Sequence, residues 1–223
     1  DIFRLPKFSL SFFRTQIAEG SMLPSGKMPY EVFIPAYRDE ILSDTVMVYG
    51  NVDEVELVLN GKTIRRQTAD KGPDSDYIPV PNGGNGKNLH FPPFTFYGVS
   101  KERGVLKAVG YHQGKKVAEY TVKTPGVPER LDITYFESGK PATKNDLLIV
   151  YVRMLDKQGV LCPVNGIPVE LSVQGGEIVG PTSYPLEAGV ASFLVRTGEI
   201  SKININATGK GFSTRKSLKV GKE

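Results

Sequence analysis

Two carboxylates, Glu54 and Glu56, stand two residues apart in an alternating apolar stretch, a spacing that puts both on one face of a β-strand. Paired carboxylates are the machinery of glycoside hydrolysis: one protonates the leaving oxygen, and the other attacks or activates water. Retaining enzymes hold the two about 5–5.5 Å apart, on either side of the bond being cut. Neighbours on one flat strand face enclose nothing, so Glu54 and Glu56 read as solvated strand residues.

Other chemistry fails on spacing. Gly61-Lys62-Thr63 imitates the end of a phosphate-binding loop, but Glu56 occupies the position that needs a glycine. Gly83-Gly84-Asn85-Gly86 lacks the strand-to-helix setting of a dinucleotide site and reads as a turn. His90 and His112 are far apart and have no cysteine or metal-spaced partner, whereas zinc needs three or four ligands. Asp70, Asp74 and Asp76 offer oxygen ligands without the glycine and distant glutamate of a calcium-binding hand. No Gly-x-Ser-x-Gly supports a nucleophilic serine. Asn206-Ala207-Thr208 is a glycosylation triplet on an expected strand. No catalytic residue, metal or cofactor is expected. Sugar binding is the stronger rival, since exposed aromatic rings stack on sugars. The chain has no Trp, which leaves Tyr37, Tyr77, Phe91 and Tyr97, in or beside expected loops, as the candidate glycan contacts. An aromatic half-packed on its own sheet is the commoner situation.

These residues must be positioned by strands. In Val46–Lys62, Val46 and Val48 alternate with polar neighbours, Asn51 and Asp53 break the run, and Val55, Leu57 and Leu59 alternate again before Asn60-Gly61. Period-2 apolar residues bury one face of a strand, and Asn-Gly is a strong hairpin signal. The stretch is expected to be strand, turn, strand, turn, the nucleus of one antiparallel sheet. Further strands are expected at Tyr30–Tyr37, around His90–Phe96, at Arg103–Tyr111 and at Val117–Lys123, with a long polar loop over Asp70–Asn88. Pro125-Gly126-Val127-Pro128 marks a boundary. Beyond it strands are expected at Leu131–Tyr135, Leu147–Leu155, Val169–Val173, Val190–Val195, Ile203–Ala207 and Ser213–Val220. At the start, Leu5, Phe8, Phe12 and Phe13 fall at helical spacing behind Pro6. Such a helix is marginal alone, and nothing else in the chain reads as its partner. Glu19–Pro29 reads as a Gly/Ser/Pro linker.

Seven stretches carry a family resemblance. GNVDEVELVLNGK, PPFTF and GVLKAVGYHQGKKVAEYTVKT resemble the β-sandwich that follows the catalytic barrel in family 2 glycoside hydrolases of the β-galactosidase type. VYVRMLDKQGV, VELSVQGGEIVG and GVASFLVRTG resemble the bacterial immunoglobulin-like domain that closes many of these enzymes, and FRLPKFSLSFF resembles the end of the last barrel helix. The resemblance implies an all-β chain of two tandem immunoglobulin-like β-sandwiches with a short N-terminal helical segment. Residues 1–29 would be the tail of a barrel helix plus linker, 30–124 the first sandwich, 125–128 a linker and 129–223 the second sandwich.

It further implies a non-catalytic C-terminal accessory region whose partner is the catalytic barrel of the parent chain, with Phe3, Phe8, Phe12 and Phe13 packing on that barrel. Glycan and a second copy of the chain are further partners to weigh. Both catalytic glutamates of the family lie on the barrel, so this chain alone is expected to be inactive. Periplasmic or extracellular location is implied by the resemblance alone. A free-standing carbohydrate-binding module and an immunoglobulin-like surface adhesin stay open as alternatives.

The totals agree with that class. The 223 residues are 39% hydrophobic and 23% charged, far from disorder. No apolar run nears the roughly 18 residues of a membrane span. Net charge is +4, from 28 basic and 24 acidic residues spread along the chain, where a nucleic-acid binder concentrates them. Cys162 is the single cysteine, so there is no internal disulfide. The chain begins at Asp1 without a signal-peptide pattern, which predicts a processed protein or a piece of a longer one.

Overall fold

A computed structural model describes residues 4–36, 44–70, 89–136 and 141–221. The chain forms two compact units, Pro6–Thr124 and Pro125–Glu223, and the second also takes in the chain start. Both are antiparallel β-sandwiches.

The first unit opens with α1 (Phe8–Arg14) and the two-residue strands β1 (Met22–Leu23) and β2 (Gly26–Lys27). Seven strands follow: β3 (Val32–Phe33), β4 (Val46–Gly50), β5 (Glu54–Leu59), β6 (Lys62–Thr68), β7 (Phe94–Phe96), β8 (Val105–His112) and β9 (Lys115–Lys123). They make two sheets, β3-β4-β7 and β6-β5-β8-β9. Val46, Val48, Phe94 and Phe96 from one sheet meet Val55, Leu57, Leu59, Leu106 and Ala108 from the other, all buried in one core.

The strands on either side of Asn51–Asp53 therefore do not pair with each other, which corrects the expected single sheet. Val48 of β4 lies opposite Phe94, whereas Leu57 of β5 lies opposite Ala108 and, on its other side, Arg65. Asn51–Asp53 is the corner at which the chain changes sheets. Asn60-Gly61 is the hairpin turn its residue types predict, with φ of 50° and 80°.

Two further expectations change. Val32 and Phe33 are both buried, although alternation predicts opposite exposure. The outer ring of Phe33 is covered edge-on by Phe8 and Tyr120, at 5.6 and 5.2 Å between ring centres. Residues 19–29 are no free linker. Met28 is fully buried, and its N–H and C=O bond to Ser21 and Gly20.

The second unit holds β10 (Pro128–Tyr135), β11 (Leu147–Asp156), β12 (Pro168–Gln174), β13 (Gly176–Ile178), β14 (Ser183–Pro185), β15 (Val190–Thr197), β16 (Lys202–Gly209) and β17 (Phe212–Lys219). Its sheets are β10-β11-β15-β13 and β14-β12-β16-β17. Val150, Val152, Phe193, Leu171, Ile203 and Ile205 anchor the shared core. The short strands β13 and β14 carry too few residues to show a period. At the chain start, the Arg4 guanidinium lies 5.0 Å from the centre of the Phe136 ring in this unit.

Candidate functional site

Seven residues make α1 barely two turns, too short to persist without tertiary support. Its side chains divide into two faces by helical geometry. Phe8 and Phe12, four apart, turn towards the first unit. Phe8 meets Phe33, and Phe12 meets Tyr49 edge-on at 5.0 Å. Leu10 and Phe13, three apart, point away and are 53% and 65% exposed. The helix thus has a partner within its own chain for one face, which corrects the reading that it has none.

Polar bonds hold this arrangement. Arg14 at the last turn grips Glu31 in a fork, its Nε donating to both carboxylate oxygens at 2.9 and 3.0 Å and its second arm donating to Oε1. Thr15, fully buried, donates its hydroxyl to the Phe12 carbonyl at 2.7 Å. The Gln16 amide exchanges two hydrogen bonds with the backbone of Phe91, at 3.0 and 3.1 Å. Asn51, in the corner between sheets, is 3% exposed. Its oxygen accepts the Glu31 N–H at 2.6 Å, and its nitrogen donates to the carbonyls of Ile17 and Pro29 at 2.9 and 3.0 Å. The segment before β3 is therefore bonded to the sandwich at its helix, its turn and its end. Met22, which opens the β1-β2 hairpin opposite Lys27, is 73% exposed. Leu10, Phe13 and Met22 are large apolar groups left exposed on this bonded segment.

Leu10 and Met22 were not among the residues singled out by sequence. A helical wheel of residues 8–14 would have found Leu10 beside Phe13. Met22 had no periodic context. Phe3 lies outside the described residues.

Of the candidate glycan contacts, Tyr37 and Tyr77 lie outside the described residues. Phe91 is half-buried, with its ring 4.5 Å from His90 edge-on, and Tyr97, just after β7, is 40% exposed. Asp70 turns to Thr95, accepting its N–H at 3.2 Å and its hydroxyl at 2.5 Å. Asp74 and Asp76 lie outside the described residues.

Glu54 and Glu56 share one strand face, and each is bound to its own sheet. Arg66 donates to Glu54 at 2.5 Å, while Thr63 and Tyr111 donate their hydroxyls to Glu56 at 2.6 and 2.7 Å. The Arg66 guanidinium stacks 3.7 Å above the Tyr111 ring. The Thr63 hydroxyl, then the Tyr111 phenol and the Arg66 charge, hold the Glu56 carboxyl below its ordinary range. A lowered Glu56 carboxyl is the opposite of the raised acid that glycoside cleavage requires. Among the described residues, no group of three or more His, Cys, Asp or Glu is placed to hold a metal ion.

Known proteins place this geometry. A family model described as "Domain of unknown function (DUF4982)" matches residues 43–118. A β-galactosidase of Thermoanaerobacter pseudethanolicus is 31% identical over 209 residues, covering 88% of this chain and 26% of that protein. A β-galactosidase sequence of Rhizobium radiobacter is 30% identical over 129 residues, covering 57% of this chain and 92% of that sequence. Among solved structures, a β-glucuronidase from glycoside hydrolase family 2 superposes with a TM-score of 0.76 at 21% identity, over 98% of this chain and 22% of that one. This chain thus spans about a quarter of the Thermoanaerobacter enzyme's length.

Proposed function

Because this chain belongs to the C-terminal domain region of the family 2 glycoside hydrolases of β-galactosidase and β-glucuronidase type, we propose that it is a non-catalytic accessory region that buttresses the catalytic barrel of a larger enzyme. The single observation that carries the reading is the two-faced helix. Phe12 and the partly exposed Phe8 touch the sandwich, while Leu10 and Phe13 stay more open. A barrel seated on that outer face would bury both side chains and gain roughly 1.5–3 kcal/mol for each one fully covered. The parent enzyme is read as acting on β-linked galactosides or related glycans, with its acid and nucleophile outside this chain.

The test is a pair of variants in the full-length parent. Leu10→Ser with Phe13→Ser is expected to lower the melting temperature of the barrel and leave the sandwich's own unfolding unchanged. Phe8→Ala with Phe12→Ala is expected to loosen the sandwich as well. An unchanged barrel transition in the first variant would remove the buttress role.

A second reading rests on Tyr97, which presents part of its ring to solvent beside β7. A glycan module would stack a sugar there. Calorimetric titration with galacto-oligosaccharides should give heat that Tyr97→Ala abolishes. A flat trace with the unchanged chain would remove this second reading.

A further inference from the structure

The hairpin β16-β17 at the edge of the second unit carries cations without a carboxylate among them. Residues 202–219 hold five cations, Lys202, Lys210, Arg215, Lys216 and Lys219, and no Asp or Glu. Strand alternation sorts them. Ile203, Ile205 and Ala207 are buried, so Lys202, Asn204, Asn206 and Thr208 face outward on β16. On β17 the exposed set is Ser213, Arg215, Ser217 and Lys219. Lys216 turns the other way, its ammonium 5.6 Å from the centre of the Tyr135 ring. Lys210-Gly211 forms the turn, both at positive φ.

Register then places like charges together. Lys202 lies directly opposite Lys219, and Arg215 lies opposite Asn206 on the same face. Like charges directly opposite on a sheet are destabilising. The carboxylates paired with basic residues in this unit, Asp132, Glu177 and Glu199, serve Arg153, Arg196 and Lys144. Among the described residues, no ion pair reaches Lys202, Arg215 or Lys219. Between the cations the face is built of short amides and hydroxyls. Ser217 donates to Asn204 at 2.6 Å, and Asn206 meets Ser172 of the neighbouring β12 at 3.5 Å. Glu170 is the one carboxylate on the outward rows of β12, β16 and β17. It pairs with Thr208, six residues, or ~20 Å, along the strand from Lys202.

We propose that this face binds a linear acidic polysaccharide, one bearing uronate or sulfate groups, with Lys202, Lys219 and Arg215 meeting its anions and Asn204, Asn206 and Ser217 meeting its hydroxyls. Charge complementarity selects an anionic chain. The rows of amides and hydroxyls select a sugar over a nucleic acid. A single strand of nucleic acid needs aromatic rings for base stacking, and the outward residues of this hairpin include none. An anion bridging Lys202 and Lys219 would also relieve the repulsion between them. The proposal stands apart from the buttress reading, because it concerns the other unit and none of the residues of α1.

The experiment measures binding of the full chain to polygalacturonate, dextran sulfate, neutral dextran and a single-stranded oligonucleotide by titration calorimetry, at low and high salt. Binding to at least one acidic polysaccharide and none to neutral dextran is expected. Lys202→Gln with Arg215→Gln and Lys219→Gln should weaken it about tenfold or more and flatten its salt dependence. Removing three cations of the first unit, Lys62→Gln with Lys101→Gln and Lys115→Gln, should change it far less. Lys219→Gln alone, which relieves the like-charge pair, should keep or raise the melting temperature and still weaken binding, so the result holds if the triple variant misfolds. The proposal is overturned by no binding to either acidic polymer, by equal losses in the two triple variants, or by tighter binding of the oligonucleotide.

Discussion

Asn51 takes the backbone N–H of Glu31 onto its side-chain oxygen at 2.6 Å, joining the corner between the two sheets of the first unit to the segment that precedes them. The same amide donates to Ile17 and Pro29, so one buried side chain satisfies three backbone groups from a segment distant in sequence. Buried amides left without partners are costly, and replacing all three bonds with solvent is not open to a corner this enclosed.

Asn51→Ala is therefore expected to destabilise the first unit by about 1–3 kcal/mol, read as a lower urea midpoint. Amide exchange at Glu31 should accelerate with it. An unchanged midpoint would mean that the helix and the β1-β2 hairpin contribute little to the folded unit.

Gly110 in β8 sits against Val32. A Cβ there would come within 2.7 Å of Val32 Cγ1 and 3.0 Å of Val52 Cγ1. Gly110→Ala should cost about 1–3 kcal/mol through overpacking. Val32→Ala in the same chain should recover part of that loss, and the coupling is measurable in a double-mutant cycle.

Asp156 accepts the N–H of Gly126 at 2.6 Å and those of Gln158 and Val160 at 2.8 Å each. The Gly126 bond first, with the others behind it and burial opposing, holds the carboxyl below its ordinary range. A depressed carboxylate stabilises the fold above its unfolded pKa, near about 3.9, and that contribution is lost as pH falls through the folded value. Acid unfolding of the second unit should therefore soften in Asp156→Asn, whose neutral pH stability starts lower. Identical acid limbs in the two proteins, followed by circular dichroism, would contradict this.

Within the chain itself the two faces of α1 should separate. Phe12→Ala is expected to cost roughly 1–2 kcal/mol, since its ring is half-buried against Tyr49. Phe13→Ser should stay within about 0.5 kcal/mol, as exposed positions do. Equal losses would show that Phe13 is held by the sandwich rather than left open for a partner.

Much of this protein is written locally. The alternation of Val55, Leu57 and Leu59 and the Asn60-Gly61 turn determine a strand and a hairpin without outside help, because side-chain period and positive φ are properties of neighbouring residues. The prolines around Gly126 likewise mark where one unit stops, and the family-like stretches identify the chain's relatives. Tertiary structure decided the rest. Val46–Gly50 and Glu54–Leu59 look alike in sequence and go to different sheets, because their pairing partners, Phe94 and Ala108, lie far along the chain. The same holds for α1, where Phe8 and Phe12 find Phe33 and Tyr49 while Leu10 and Phe13 stay exposed. It holds too for Lys202 and Lys219, scattered cations in sequence that register sets side by side. Periodicity states which face of an element is apolar; only the packed fold states what that face meets.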